Sequence, residues 1–569
     1  MRLTEKIASV PKKKKITLAA VCFTLIFTYG FFAPLDLYLR NSTSFMVGIA
    51  SIVIPFFLIS TAVFALLYFL LLFTGEKAID KISLFLLGLI ISSYSQLLFF
   101  NGEMGAMTGA VYNYSEFTTS HMINTVIFIY ITFIPLFVVY ALKKKGKKAD
   151  FYKPAIAISA VIIVMQLGAI ISVLPSYTPI KRTSLALSYS KSFEMSSEEN
   201  TVVFIVDRLD NEFTHETFNR YPDAAEIFDG FTWYEDNTSV YSCTVPSVAY
   251  MLTGAEFNRD EPVYSYLRDC WKERSFIDTL KENNYNSYML IDRFTSYTDV
   301  SDLLGKADNI SDKKDVSAVN QSKLLAVTFR IAVSKLVPYF LKDAALEGLA
   351  TDFQNNYLSM SDTDSMEYVV SFNTDMRFYD NLTQNGLKLQ DDKKVFSVIH
   401  LRGAHDWGVG YDNGFIQAEG LDNSDAAYAS FKIIEEYMKQ MKALGIYDKS
   451  TIIVMADHGN SSEVMASTTR LDKAITSALM IKPKNASGAL EINDTAELSH
   501  EFFGASVLEY AGIPHENYGL SYQDIINGNI STTRRLYIES WVNVYNLKYN
   551  GYYEINGDAR DFNNWKAYE

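Results

Sequence analysis

The sequence predicts a bundle of five transmembrane α-helices followed by an α/β domain built on a mostly parallel sheet. Three observations carry that fold class: five long apolar stretches within residues 1–176, a reversal of charge where they end, and short β-branched runs alternating with helical patterns beyond. The chain has 569 residues and a formal net charge of −14. Residues 1–176 carry 15 Lys and Arg against 7 Asp and Glu, and the remainder carries 36 against 58. So acidic a second part argues against nucleic acid as a partner, which would demand a basic face.

The five stretches are Ile16 to Phe32, Phe45 to Phe73, Ile82 to Phe100, Ile123 to Leu142 and Ala155 to Leu174. Each is long enough to cross a hydrocarbon core of about 30 Å as a helix. Lys and Arg cluster before the first (Arg2, Lys6, Lys12 to Lys15) and between the fourth and fifth (Lys143, Lys144, Lys145, Lys147, Lys148, Lys153), whereas the loop around Glu103 and Glu116 has none. The positive-inside rule therefore puts the N-terminus, the Gly75 to Lys81 loop and the Lys143 loop in the cytoplasm, and everything after about Pro175 outside. The first stretch has full span length and no small-residue cleavage site, so it is expected to be an anchor, not a removable signal. Cys243 and Cys270 lie in the exported part, where a bridge is permitted but not required.

Residues 177–200 are polar and Ser-rich and read as a linker. The domain expected over residues 201–534 has five runs suited to strands buried on both faces: Thr201 to Val206, Ser287 to Ile291, Val395 to Ile399, Thr451 to Ala456 and Ser477 to Ile481. Helical patterns separate several of them, among them Asp425 to Leu444 and His500 to Ala511. Residues 535–569, rich in Tyr and Asn, are expected to form a small β extension. One helical segment stands apart: Lys323 to Lys342 is apolar on much of its surface yet carries Arg330, Lys335 and Lys342. It is too interrupted by charge for a sixth span. Two placements fit it, the outer membrane interface or the exported domain's own flank, and Pro338 should kink or end its helix.

The chemistry concentrates at strand ends. Ile453 to Gly459, IVMADHG, is an apolar run closing in Asp457-His458-Gly459. That looks like a metal-ligand pair at the carboxyl end of a buried strand, where open α/β sheets gather their ligands. The first strand likewise ends in Asp207, and SCTVPSVAYMLTG follows, with Thr244-x-Pro246-Ser247 and then Thr253-Gly254. A helix beginning there would aim backbone N–H groups at a bound anion. The strand from Val395 runs into His400-Leu401-Arg402-Gly403-Ala404-His405, and Ser499-His500 opens a late helix. His405, His458 and His500 are three of only seven histidines in the chain.

These segments resemble the sulfatase branch of the alkaline phosphatase superfamily, whose nucleophile motif runs nucleophile-x-Pro-Ser-Arg and closes in Leu-Thr-Gly. The resemblance covers the plan of the whole chain, with motif-level identity confined to four or five segments. It implies a sulfatase-like α/β fold with Thr244 as nucleophile. It also implies one divalent cation, Mn²⁺ or Zn²⁺, held by Asp207, Thr244, Asp457 and His458. His405 takes the place of a substrate-binding His, with Arg402 a phosphate contact; His500 could contact the substrate phosphate or a second metal. Two departures separate the chain from hydrolytic sulfatases. Cys243 stands one residue too early for Cys-x-Pro-x-Arg and Val248 replaces the Arg, so formylglycine is not expected; and Arg208 stands where those enzymes place a second Asp. A plain Thr nucleophile resembles instead the membrane-anchored phosphotransferases, lipoteichoic acid synthases and lipid A phosphoethanolamine transferases, although these typically have Glu at the position of Asp207.

The resemblance thus implies a transferase of the bacterial plasma membrane with an extracytoplasmic catalytic domain. It would move phosphoglycerol or phosphoethanolamine, phosphoglycerol being favoured, from a phospholipid donor through a phospho-Thr to a cell-surface glycan or lipid acceptor. The first alternative is a hydrolase with the same site, a phosphodiesterase or sulfuric ester hydrolase in which water replaces the acceptor. The second is a non-catalytic membrane protein that binds glycans or a partner, against which the four ligand-type residues argue.

Overall fold

The computed structural model describes residues 9–568 apart from 46, 102–118, 148–149, 178–184, 258–260, 293–294, 313–317, 350–352, 360–363, 365, 367–370, 391–392, 406–408, 419, 461–470 and 544–545. Arg2, Lys6, Lys148 and the loop carrying Glu103 and Glu116 lie outside the described residues. The chain forms two compact units, one of Met1–Arg182 with Ser317–Ser361, the other of Thr183–Val316 with Asp362–Glu569.

The first unit holds five long helices: α1 (Lys12–Ile26, continued to Arg40), α2 (Ala50–Leu72), α3 (Glu76–Ser95, continued to Phe100), α4 (Thr119–Lys144) and α5 (Tyr152–Val173). Their most apolar stretches have a mean hydropathy of 1.9 to 2.5, and Phe57, Leu66, Val126, Phe137 and Val164 are exposed, as lipid-facing side chains must be. Polar groups between the helices satisfy one another. Gln166 Nε2 donates to Thr28 Oγ1 at 2.9 Å, Asn124 Nδ2 donates to Gln96 Oε1 at 2.8 Å, and the Ser92 and Thr132 hydroxyls are 2.8 Å apart.

The helix foreseen within Lys323 to Lys342 runs from Gln321 to Ser334 and belongs to this unit, not to the flank of the α/β domain. Its Leu324, Val327 and Ala332 share one core with Tyr38, Phe45 and Ile52, and Gln321 Nε2 donates to Ser51 O at 2.6 Å. Its apolar face is thus covered by membrane helices. Pro338 heads a short 3-10 turn, Tyr339–Leu341, after the helix has ended.

The second unit is built on seven strands: β1 (Asn200–Val206), β2 (Thr232–Tyr234), β3 (Tyr285–Leu290), β4 (Lys394–Leu401), β5 (Ser450–Met455), β6 (Leu479–Lys482) and β7 (Glu491–Asn493). Their order is β7-β2-β6-β5-β1-β4-β3. β3, β4, β1 and β5 are mutually parallel, and β6 runs against both its neighbours. Every residue of β1 and β5 is buried, which is why each, after two polar residues at its start, reads as an apolar run. In register, Val206 pairs with Leu401 and Ile205 with Met455. The carboxyl ends of β1, β4 and β5 therefore finish side by side. The helix Asn423–Ala443 starts at a capping box between Asp422 and Asp425 and lays Ile434, Tyr437 and Met441 into the core.

Two expectations about organisation need correction. The segment read as a linker is built into the domain from Leu185 onward: Leu185–Leu187 pairs with Ile310–Asp312, Glu194–Ser196 pairs with Lys388–Gln390, and Leu187, Tyr189, Phe193 and Met195 are buried. Its serines make local caps instead of flexibility. Ser188 Oγ accepts from Lys191 N at 3.2 Å and donates to Asp364 Oδ2 at 2.7 Å. Residues 317–361, placed by sequence inside the exported domain, form part of the membrane-helix unit.

The C-terminal extension is a three-stranded antiparallel sheet of β8 (Thr533–Asn543), β9 (Asn546–Asn556) and β10 (Trp565–Tyr568). Arg534 anchors it. This fully buried guanidinium donates to Asp236 Oδ1 at 2.6 Å and to the carbonyls of Asp236, Leu498 and Gly557. Arg534→Met should lower unfolding stability by about 3–5 kcal/mol, because it leaves the Asp236 carboxylate buried without its partner. Denaturant unfolding of the detergent-solubilised chain measures this, and a loss below about 1 kcal/mol would mean that the pair contributes no more than a surface one. Cys243 and Cys270 are buried free thiols, so they form no bridge.

Candidate active site

Thr244 heads the helix Thr244–Thr253, whose first turn has no side-chain cap. Its leading N–H groups are therefore available to an anion, on the positive end of the helix dipole. The Thr253-Gly254 pair of the motif is structural: Gly254, at φ 75°, takes the left-handed cap and its N–H donates to Tyr250 O at 2.7 Å. Ser247 Oγ donates to Asp457 O at 2.6 Å, tying this helix to the loop after β5.

Asp207, His400 and Asp457 come from the ends of β1, β4 and β5, and each offers a ligand atom within 4.8 Å of the others. His458 joins them. Its Nδ1–H donates to Gly459 O at 2.7 Å, which leaves the Nε2 lone pair facing inward. Nε2 lies 3.3 Å from Thr244 Oγ1, 3.6 Å from Asp457 Oδ2 and 3.8 Å from Asp207 Oδ1. Asp457 Oδ1 accepts from the backbone N–H groups of Arg208 and His458, both at 2.8 Å. Burial pushes the Asp457 carboxyl up, but His458, His400 and those two amides outweigh it and hold it below the ordinary range. Burial pushes His400 down to about 4, so its imidazole is neutral at pH 7.

Asp457 Oδ2 and both nitrogens of His400 are buried without a hydrogen-bond partner. An orphaned carboxylate oxygen and an orphaned imidazole lone pair together are costly in a bare protein and fit a divalent cation. Asp207, Asp457, His458 and His400 could hold it, an N/O set that suits Mn²⁺ or Zn²⁺ and does not choose between them.

All four residues foreseen around the metal come together here. Arg402 sits beside them, its Nη1 3.8 Å from Asp207 Oδ2 and 3.6 Å from Asp292 Oδ2. His405 is exposed on the next turn, within the fields of Arg402, His458 and Arg208. His500 is buried, its Nε2 3.4 Å from Ser477 Oγ, and burial pushes it down to about 3.

Sequence reasoning missed His400 and Arg208 as parts of this site. His400 pairs in register with Ile205, two residues before Asp207, and only the strand register brings it in. Arg208, at φ 60°, is a non-glycine residue in the left-handed region, a conformation that concentrates at functional sites. Its backbone serves Asp457 and its Nη2 donates to Asn460 Oδ1 at 2.5 Å.

Gly459 is fixed by close approach. A Cβ there would meet Ile475 Cγ2 at 2.5 Å and Asp210 Oδ2 and Thr476 O at 2.8 Å. Gly459→Ala should therefore displace His458 and lower turnover on the order of 100-fold, the effect of misplacing a reacting group by about 1 Å. Steady-state kinetics would check this; full activity would mean that the loop yields without moving His458.

The sulfatase family model matches residues 200–513. The chain belongs to the sulfatase family, enzymes of the alkaline phosphatase superfamily that work with divalent metal ions. No curated protein matches it. Similar solved structures include a protein in the alkaline phosphatase superfamily from Vibrio parahaemolyticus (13% identity, 68% of this chain and 84% of that one, TM-score 0.37). Another is the phosphonate monoester hydrolase SpPMH from Silicibacter pomeroyi (14%, 65% and 88%, 0.34). A third is the lipoteichoic acid synthase LtaP from Listeria monocytogenes (12%, 65% and 85%, 0.34).

Proposed function

We propose that the chain is a membrane-bound phosphotransferase that moves the phosphorylated head group of a phospholipid, phosphoglycerol or phosphoethanolamine, to a cell-surface glycan or lipid acceptor. The observation that carries this reading is an unmodified Thr hydroxyl at an uncapped helix N-terminus, 3.3 Å from His458 Nε2 and next to two buried carboxylates. A hydroxyl nucleophile there forms a phosphoester, and helices long and apolar enough to cross a membrane lie in the same chain as the site. We place the N-terminus in the cytoplasm and the catalytic unit outside a bacterial plasma membrane.

In the first step Thr244 Oγ attacks phosphorus. The new O–P bond forms as the P–O bond to diacylglycerol breaks, and the proton lost by Thr244 ends on the diacylglycerol oxygen. In the second step an acceptor hydroxyl attacks the phospho-Thr, the Thr244 O–P bond breaks, and Thr244 regains a proton. The first-turn N–H groups and Arg402 take the negative charge of the phosphoryl oxygens. A divalent cation held by Asp207, Asp457, His458 and His400 would lower the hydroxyl pKa and neutralise that charge. His458 is held in one orientation by Gly459 O. His405, on its exposed turn, is positioned to meet substrate.

Proteoliposomes containing the chain and head-group-labelled phosphatidylglycerol or phosphatidylethanolamine, supplied with membrane glycan extract, test the reading. Diacylglycerol release with label moving to the extract is expected. Label released only as free glycerol phosphate or phosphoethanolamine would make the protein a hydrolase; no diacylglycerol at all would leave a binding protein.

A further inference from the structure

An open cleft lined by Tyr241, Glu256, Phe257, Tyr537, Glu539 and Tyr549 lies beside the turn that leads into Thr244. The C-terminal sheet builds half of it. Tyr537 of β8 bridges to Tyr241, and their rings stack with centroids 5.4 Å apart; the Tyr549 ring of β9 is 6.4 Å from that of Tyr537. Tyr241 OH accepts from Phe257 N at 2.8 Å, which fixes the opposite wall. Ser242 Oγ and Glu539 Oε2 are 3.0 Å apart, and Ser242 N donates to Tyr537 O at 3.0 Å. The cleft wall is therefore bonded to a residue two positions before Thr244. Cys243, the residue between, has Glu539, Asp457 and Asp207 all among its electrostatic neighbours, so cleft and metal ligands flank the same point of the chain.

Charge in the cleft is one-sided. Glu256 and Glu539 both act on Tyr241, and Glu501 is a further neighbour of Glu256. The cation that acts on Glu501 is Arg535, which pairs with Glu554 at 3.2 Å. Aromatic faces combined with carboxylates are the chemistry that recognises an alkylammonium: the ring quadrupoles and the anions both attract its charge, whereas a neutral diol could only donate hydroxyl hydrogen bonds to the carboxylates and gains neither charge term.

We infer that this cleft binds an ammonium group carried by the phosphodiester substrate, so that the transferred head group is an aminoalcohol phosphate rather than phosphoglycerol. This rests on the proposed transfer through Thr244. With phosphorus at Thr244, the amine of the transferred group occupies the cleft through both steps, because it stays on the phosphoryl side of the bond that breaks.

Calorimetric titration of the detergent-solubilised Thr244→Ala chain, loaded with Mn²⁺, tests the cleft without turnover. The probes are the soluble diesters glycerophosphoethanolamine and glycerophosphoglycerol. The amine should bind tighter by about tenfold or more. Glu256→Gln and Glu501→Gln, both at exposed positions, should together cut that preference by about threefold or more, with Glu539 and the rings retained, while leaving glycerophosphoglycerol binding unchanged. Equal binding of the two diesters, or a preference untouched by both substitutions, would overturn the inference. Glucosamine, an amine without phosphate, displacing glycerophosphoethanolamine at equal concentration would overturn the assignment to the donor and give the cleft to an amino-sugar acceptor. An amine preference in a chain whose wild type forms no phospho-Thr would sink the transfer reading and leave the cleft; a phospho-Thr without the preference would sink the cleft alone.

Discussion

Thr244→Ala should abolish head-group transfer, on the order of a thousandfold or more, while metal binding falls far less and folding is untouched. Removing a covalent nucleophile removes the step that every later step needs, so its loss is not shared out among neighbours. The substitution is mild for the structure: Thr244 is only partly buried, and its hydroxyl makes a 3.3 Å contact to His458 Nε2. Ala also suits the first turn of a helix. Thr244→Ser keeps the hydroxyl and should retain activity well above the Ala variant. The measurement is the single-turnover rate of diacylglycerol release. Residual activity within tenfold of wild type would move the nucleophile elsewhere and make water the attacking group.

Asp457→Asn should weaken metal binding by at least about 100-fold, beyond what loss of an outer-shell partner costs. The amide oxygen of Asn can still accept from the Arg208 and His458 N–H groups that Oδ1 now serves. What changes is Oδ2, the buried atom without a hydrogen-bond partner, and the charge. Two consequences follow. Without metal, the variant should be somewhat less stable than wild type at neutral pH, because the fold holds the Asp457 carboxyl below its ordinary range and so stabilises the anion that the substitution removes. With Mn²⁺ added, wild type should gain thermal stability and the variant should not, since only binding to the folded state stabilises. Thermal melts with and without Mn²⁺, beside metal analysis of the purified protein, read both. Equal metal content in the two proteins would exclude Asp457 as a ligand.

The parts of this molecule legible in the sequence are those whose signal is local. Five spans are local because a lipid-crossing helix needs about 20 apolar residues in a row. β1 and β5 are local because strands buried on both faces carry no polar interruptions. Asp207, Asp457 and His458 were legible for the same reason, each standing where such a run stops. His400 was not, because its place depends on the register of β4 against β1, which involves residues almost 200 positions apart in the chain. The two short strands β2 and β7, of three residues each, are too brief for a period to show. The Gln321–Ser334 helix was seen but its partner was not: an amphipathic face states that something covers it, not what. In residues 185–196 composition misled, since serines that cap turns look the same in a sequence as serines in a flexible linker. Glu539 and Tyr537 could not have been joined to the nucleophile by any local signal, because they reach Ser242 and Tyr241 from almost 300 residues away.

The central claim is that Thr244 carries the transferred group. Intact-mass analysis of the detergent-solubilised chain, supplied with Mn²⁺ and incubated with phosphatidylglycerol or phosphatidylethanolamine beside Thr244→Ala, tests it most directly. The account predicts an added mass of one head-group phosphate on the wild type, mapped to Thr244 and absent from the variant. No adduct from either lipid, with turnover of a small phosphodiester or sulfate ester instead, would contradict it and make the protein a hydrolase.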